Sequence, residues 1–286
     1  MQRKRVVIHA GYHKTGTTSI QVAMTRARQR LRAYGVLYPQ SGVPDEFPYG
    51  HHLLPWSLMK QPPAGRSLAA AARDELWREL GDEITASPAA VVILSSEEFD
   101  RLDRAEISSV AERLQDHDII PVIFLRNHAD LIETMFRTHV IHLGYAASIQ
   151  RFAAEEAPRL DFANMARDWM TVARSGAGII MSYEDGSIRR DSVAAFRSAI
   201  ELDADCLGGD QPVFVNTSAP AFVCEMVRHL RDQHGDEADV RQWIDEVLRV
   251  DFGTSVGTDY GCMPRELSAV LHRRFEAETT AIASAR

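Results

Sequence analysis

Apolar residues in this chain fall in short dense runs separated by amphipathic stretches. The first run, RVVIHA, is β-branched and passes directly into GYHKTGTTS, which predicts a buried strand feeding a glycine-bearing loop. Three further β-like runs, AAVVILSS, DIIPVIFLR and GAGIIMSY, and a shorter one, GVLYP, follow along the chain. They alternate with helical patterns at Thr17 to Arg32, Leu68 to Ile84, Arg104 to Gln115, Ala129 to His142 and Asp161 to Arg174. Such alternation predicts a parallel central sheet flanked by helices, an α/β fold. After Tyr183 the pattern is almost wholly helical, over Asp191 to Ile200, Pro220 to Gln233, Val240 to Val250 and Pro264 to Ala281. The stretch from Gln40 to Gly65 is rich in Pro and Gly, reads as loop, and carries the pair His51 and His52 where a pocket would be shaped. No repeat, low-complexity tract or linker interrupts the chain, so residues 1–286 are expected to form one domain.

Composition narrows the partners. A chain of 286 residues with 45% hydrophobic content can bury a full core. Its formal charge of −8, from 32 basic and 40 acidic residues, argues against nucleic acid, whose backbone calls for a basic surface. An anionic ligand must therefore be held by a few local groups. Cys206, Cys224 and Cys262 lack the spacing of a zinc site or disulfide framework, and no metal is expected. The apolar run Val6 to Ala10 is too short for a signal peptide, and no segment approaches the ~20 apolar residues of a membrane span, so a cytoplasmic location is expected.

The loop after the first strand carries the most specific chemistry. In parallel sheets ligands bind beyond the carboxyl ends of the strands, and a loop that opens a helix there offers backbone N–H groups to phosphate. Gly11 and Gly16 keep the GxxxxG spacing of an ATP or GTP loop, but Thr17 stands where that loop has its lysine. The lysine is instead Lys14, between the glycines. A nucleotide hydrolase also wants a strand-end acid for magnesium, for which Glu97 and Asp100 are the near candidates.

The run HKTGTT, from His13 to Thr18, resembles the loop of the PAPS-dependent sulfotransferase superfamily (PAPS is 3′-phosphoadenosine-5′-phosphosulfate), in a bacterial HKTGTT-type form. The resemblance implies a P-loop-containing nucleoside triphosphate hydrolase-like fold with a helical C-terminal third. It also implies PAPS as co-substrate, held at its 5′-phosphosulfate by His13, Lys14, Thr15, Gly16, Thr17, Thr18 and Ser19. Lys14 would stabilise the oxygen bridging phosphorus and sulfur, where charge develops as the sulfonate leaves. The family also carries a strand-end arginine, followed eight positions on by a hydroxyl residue, that grip the 3′-phosphate. Here these are Arg126 and Thr134, and the family's RNPxD reads RNHAD, with His128 in place of proline. The segment SYED resembles the family's YED, with Tyr183 beside the adenosine. Two features depart from the cytosolic branch: Ser19 stands where tryptophan often stacks on adenine, and its late RKGxxGDWK segment is missing.

Sulfonyl transfer to an alcohol also needs a base. The run LSSEEF makes Glu97 and Glu98 candidates, with Glu97 preferred because it is nearer the strand end. The alternative for either is to cap or compensate the helix beginning near Arg104. His52 and His51 compete for the role, since imidazole titrates near neutrality, and adjacent loop histidines are otherwise solvated surface. The expected reaction moves a sulfonate group from PAPS to a hydroxyl or amine of a small-molecule, lipid or carbohydrate acceptor. A P-loop small-molecule kinase and a non-catalytic PAPS-binding protein are the alternatives. The C-terminal third either covers the acceptor pocket or forms a homodimer surface.

Overall fold

The computed structural model of the chain describes residues 3–12, 14–208, 220–235, 242–244, 246 and 261–284, apart from the side chains of residues 158 and 175. In chain order the elements are β1 (Arg5–His9), α1 (Thr17–Arg26), α2 (Arg28–Ala33), β2 (Val36–Leu37), α3 (Leu53–Leu58), α4 (Ala70–Ala86) and β3 (Val91–Ser95). Then come α5 (Arg104–Arg113), β4 (Asp118–Leu125), α6 (His128–His142), α7 (Ile149–Glu156), α8 (Phe162–Val172), β5 (Ile179–Ser182), α9 (Gly186–Arg190), α10 (Ser192–Ala199), α11 (Ala221–His234) and a last helix, Arg265–Ser284. Contacts along the chain divide it into two compact units, Met1–Arg126 with Phe162–Val215, and Asn127–Asp161 with Asn216–Arg286.

The first unit holds the sheet. Its five strands are all parallel, in the order β2-β3-β1-β4-β5. Strand β1 is central, with Val7 level with Ile93 on one side and with Ile120 on the other. Val6, Val7 and Ile8 are fully buried, as expected of a strand covered on both faces, which is why the sequence reads there as a continuous apolar run. On the face carrying Val7 and Ile93, the core is filled by Ile20 and Met24 of α1, Leu31 of α2, Ile188 of α9 and Phe196 of α10. The fold class expected from the sequence, a parallel sheet flanked by helices with a helical C-terminal part, is the one observed.

Differences from the expected elements are local. The helix foreseen from Thr17 to Arg32 is two pieces, because Ala27 leaves helical geometry at φ −89 and ψ 4. The strand GVLYP contributes only Val36–Leu37. The stretch from Gln40 to Gly65 is not all loop, since it contains α3, whose Pro55 sits in the first turn, where no intrahelical N–H is needed. Glu83 of α4 ties down its start, accepting from the N–H groups of Gln40 and Ser41 at 3.0 Å and from Ser41 Oγ at 2.8 Å. Gly42, at φ +89, admits Leu54, which would lie 2.6 Å from any Cβ there.

In the second unit, α6 is capped by Asn127, whose side chain accepts from Ala129 N–H at 2.8 Å. His128 occupies the first helical position, where proline is also well tolerated. Its buried ring lies 3.1 Å from Leu160 O and 3.6 Å from Glu278 Oε2. Phe136, Tyr145 and Phe152 form an aromatic cluster, with ring centroids 5.2 to 6.1 Å apart. Arg231 of α11 donates to the carbonyls of Val140 and Ile141. The helix expected over Val240 to Val250 falls mostly outside the described residues. Among the described residues no helix is long and apolar enough to cross a membrane.

Candidate active site at the strand ends

From β1 the chain goes to β2 and β3 on one side, then crosses to β4 and β5 on the other, so the order reverses at the carboxyl end of β1. That reversal opens a crevice in sheets of this kind. The glycine loop lies there. Tyr12 N–H donates to Phe124 O at 3.2 Å, prolonging the pairing with β4, and Thr15 Oγ1 donates back to Tyr12 O at 2.6 Å. Lys14 adopts φ +66 and Gly16 φ +83, two left-handed residues that fold the loop over the start of α1. Gly16 is the N-cap, no side chain caps the helix, and its first turn carries no acid. The N–H groups that open α1, at Thr17, Thr18 and Ser19, therefore have no capping side chain and no acid in their own turn to compete with an anion.

A Cβ on Gly16 would lie 2.5 Å from Ser192 Oγ and 2.7 Å from Ser192 Cβ. Gly16→Ala adds that clash to the cost of a left-handed alanine. It is expected to lower stability by about 2–3 kcal/mol in urea unfolding, with the slope unchanged.

Arg126 follows β4 and reaches the loop from the side. Its Nη1 donates to Lys14 O at 2.6 Å, and its guanidinium lies 5.3 Å from the ring centroid of Tyr183, whose N–H donates to Leu125 O at 2.7 Å. Lys14, Arg126 and Tyr183 are thus one connected group. Burial and the neighbouring Arg126 hold the Lys14 ammonium below the usual lysine range, while Glu97 acts in the opposite direction.

Glu97 opens the short turn Glu97–Arg101 after β3. Ser96 Oγ caps that turn by accepting from Glu98 N–H at 3.1 Å. The capping of α5 is done instead by Asp103 and Glu106, so neither Glu97 nor Glu98 is its cap. Glu98 pairs with Arg101 at 3.0 Å. Glu97 Oε2 accepts from Gln21 Nε2 at 2.8 Å and lies 3.9 Å from Nδ1 of His52, which also bonds Ser96 Oγ at 2.7 Å. His51 and His52 are buried, so neither is solvated surface.

Two further histidines fix the same strand end. His51 Nδ1 accepts from Ser95 N–H at 3.0 Å, and His51 N–H donates to Ser95 O at 2.8 Å. His9, at the end of β1, shares a 2.9 Å bond with Ser95 Oγ and packs against Phe124 and Phe196. Its Nε2 would meet a Cβ on Gly11 at 2.9 Å, so a side chain there would press on the imidazole. Burial pushes His9 down to about 3 and His51 down to about 4, so both are neutral when folded.

The unfolded chain protonates these rings near 6.5 and so binds more protons than the fold below that pH. Their contribution is fully present above about pH 6.5 and is lost toward pH 4 and below, at about 1.4 kcal/mol per pH unit per ring. In urea unfolding over this window, His51→Gln is expected to flatten the pH slope by about one proton.

The structure thus brings Lys14, Thr15 to Ser19, Arg126, Tyr183, Glu97 and His52 to the strand ends of one unit. His13 lies outside the described residues. Thr134 stands on α6 in the second unit, where its hydroxyl donates to Asp130 O at 2.7 Å. Gln21, Ser96 and His9 were not foreseen. The one available signal was Gln21, a polar residue on the stripe Thr17, Ile20, Gln21 and Met24 that α1 buries.

No family model matches the chain, and no curated protein matches it. Among solved structures, the chain is similar to a sulfotransferase from Alicyclobacillus acidocaldarius, at 17% identity and a TM-score of 0.45 over 84% of this chain and 100% of that one. It is also similar to the sulfotransferase domain from the curacin biosynthetic pathway, at 14% identity and a TM-score of 0.39 over 88% of this chain and 99% of that one.

Proposed function

We propose that the chain is a sulfotransferase that moves a sulfonate group from PAPS to a hydroxyl or amine of a small-molecule, lipid or carbohydrate acceptor. The observation that carries this reading is the placement of Lys14. It lies inside the glycine loop at the end of the central strand, with its carbonyl held by Arg126 and its ammonium within electrostatic reach of Glu97. At the position an ATP loop gives to lysine stands Thr17, a buried hydroxyl.

The residues present fit the donor. The uncapped first turn of α1 and the left-handed loop make an anion cradle, and Gly16 admits no side chain. In this reading the amides from Thr15 to Ser19 hold the 5′-phosphate, and Arg126 offers its fork to the 3′-phosphate, with Tyr183 beneath the guanidinium. When bound, PAPS supplies a sulfonyl group whose departure leaves negative charge on the bridging oxygen. Lys14 donates a hydrogen bond to that oxygen, and Glu97 takes the proton of the acceptor hydroxyl. Gln21 and His52 hold the Glu97 carboxylate in place.

The test is transfer of sulfur-35 from labelled PAPS to a panel of phenols, sugars, lipid alcohols and amines. The expected result is labelled product with equimolar release of adenosine-3′,5′-bisphosphate. Phosphoryl transfer from ATP with magnesium, without sulfur transfer, would instead establish a kinase. Tight PAPS binding with no transfer to any acceptor class would favour a non-catalytic binding protein.

A further inference from the structure

Beside the candidate active site, within the first unit, an arginine stands over the aromatic rings that flank His52. His52 is the N-cap of α3 and Trp56 lies one turn along it, so the two rings stack, 5.5 Å apart and 28° from parallel. Phe47 meets the His52 ring edge-on at 6.0 Å. The backbone between Phe47 and His52 runs close to the partner of Glu97: a Cβ on Gly50 would lie 2.7 Å from His52 Nε2 and 2.9 Å from Gln21 Cδ. Arg66 is set by a turn in which its N–H donates to Pro63 O at 2.9 Å and Gly65 takes φ +75. Its guanidinium lies 5.0 Å from the Trp56 ring centroid and 5.7 Å from that of Phe47. A chain of contacts from Arg66 through Trp56 to His52 thus ends 3.9 Å from the Glu97 carboxylate.

Three features of this group point to a ligand. Trp56 is 5% exposed, and among the described residues its indole N–H has no hydrogen-bond partner, a cost that an accepting atom would remove. Phe47 leaves 46% of its surface in solvent, an apolar face directly beside the guanidinium. Arg66 Nη1 is paired with Glu46 Oε1 at 3.0 Å, and the Glu46 side chain is 60% exposed against 28% for Arg66. So exposed a pair contributes little, and an incoming anion exchanges with it at small cost. Glu46 therefore stands in for the group the site accepts, a carboxylate. We propose that Arg66 is the acceptor-recognition residue and that the acceptor is a hydroxy acid. Its carboxylate displaces Glu46 at the guanidinium, with the indole N–H of Trp56 as a further donor, its apolar body lies along Phe47, and its hydroxyl is presented to Glu97. In a chain of formal charge −8, such an acid has to be drawn in by a local cation of this kind. This assignment rests on the sulfotransferase reading of the same site and adds the acceptor class to it.

The test measures calorimetric binding to the full-length chain, with and without adenosine-3′,5′-bisphosphate. The probes are para-hydroxybenzoate, para-hydroxyphenylacetate, para-hydroxyphenylpropionate and ω-hydroxydodecanoate, which set the carboxylate at increasing distance from the hydroxyl, each beside its methyl ester. At least one acid is expected to bind about tenfold or more tightly than its ester. Arg66→Gln is expected to bring that acid to the level of the ester, while circular dichroism and bisphosphate affinity stay as in the wild type. Glu46→Gln, which removes the competing carboxylate, is expected to tighten the acid about twofold to fivefold. Equal binding of every acid and its ester, or an acid preference that survives Arg66→Gln, would overturn the proposal. Transfer of sulfur-35 to the same probes separates this result from the reading beneath it. Transfer without an acid preference sinks the hydroxy-acid acceptor alone, whereas an acid preference without transfer to any hydroxyl sinks the sulfotransferase reading and keeps Arg66 as a carboxylate site.

Discussion

Lys14→Ala is expected to lower kcat about 10²- to 10³-fold, while the affinity for adenosine-3′,5′-bisphosphate, which has no sulfonate to lose, changes less than about tenfold. The two effects separate because the backbone and side chain of Lys14 have different tasks. Arg126 bonds the carbonyl of Lys14, which alanine retains, so the anchoring of the loop survives. Alanine tolerates the left-handed φ of +66 about as poorly as lysine does, so the substitution adds little backbone strain. What disappears is the partly buried ammonium proposed to meet the charge that develops on the leaving oxygen. An unchanged kcat, or a loss of bisphosphate affinity as large as the loss of rate, would remove Lys14 from the transition state.

Glu97→Gln is expected to reduce kcat about 10²- to 10⁴-fold, again with bisphosphate affinity preserved. Glutamine has the same shape, and its carbonyl can still accept from Gln21, so the turn after β3 should hold. The capacity to take a proton is removed, together with the negative charge that faces Lys14 and His52. His52→Gln provides the contrast. His52 lies 3.9 Å from the carboxylate and bonds Ser96 Oγ, so in the proposed mechanism it positions the carboxylate, with an expected loss of about tenfold. If His52→Gln abolished turnover while Glu97→Gln left it unchanged, the imidazole would be the base and the carboxylate its orienting partner.

Strands β1, β3 and β4 were legible because they are buried on both faces. A run such as VVILS or DIIPVIFL has no polar face to confuse with a helix, and each lies within a strand at the expected place. The loop was legible for a different reason, since a side chain at Gly11 would press on His9 and one at Gly16, at φ +83, on Ser192, so the spacing of the two glycines is fixed locally. Long-range pairings were not. Gln21 meets Glu97 across 76 residues of chain, and a glutamine on a buried stripe announces only that some partner exists.

The histidines show the same limit. In YGHH they read either as candidate bases or as solvated surface, yet Ser95 and Ser96 at the end of β3 give each a buried partner. His9 read as one more position in a strand, although its ring touches Phe124, Phe196 and Ser95 beneath the loop. One boundary between the two compact units falls between Arg126 and Asn127, at a strand-to-helix junction with no linker composition to mark it.

The most direct test of the donor assignment is calorimetric binding of adenosine-3′,5′-bisphosphate, adenosine-5′-monophosphate and ATP with magnesium to the wild type and to Arg126→Ala. The 3′-phosphate distinguishes a PAPS site from every ordinary nucleotide site, and Arg126 is the group assigned to it. A PAPS site gives at least tenfold preference for the bisphosphate over the monophosphate in the wild type, worth about 1.4 kcal/mol or more, and its loss in Arg126→Ala. Tighter binding of ATP with magnesium, or a bisphosphate preference that survives Arg126→Ala, would contradict it.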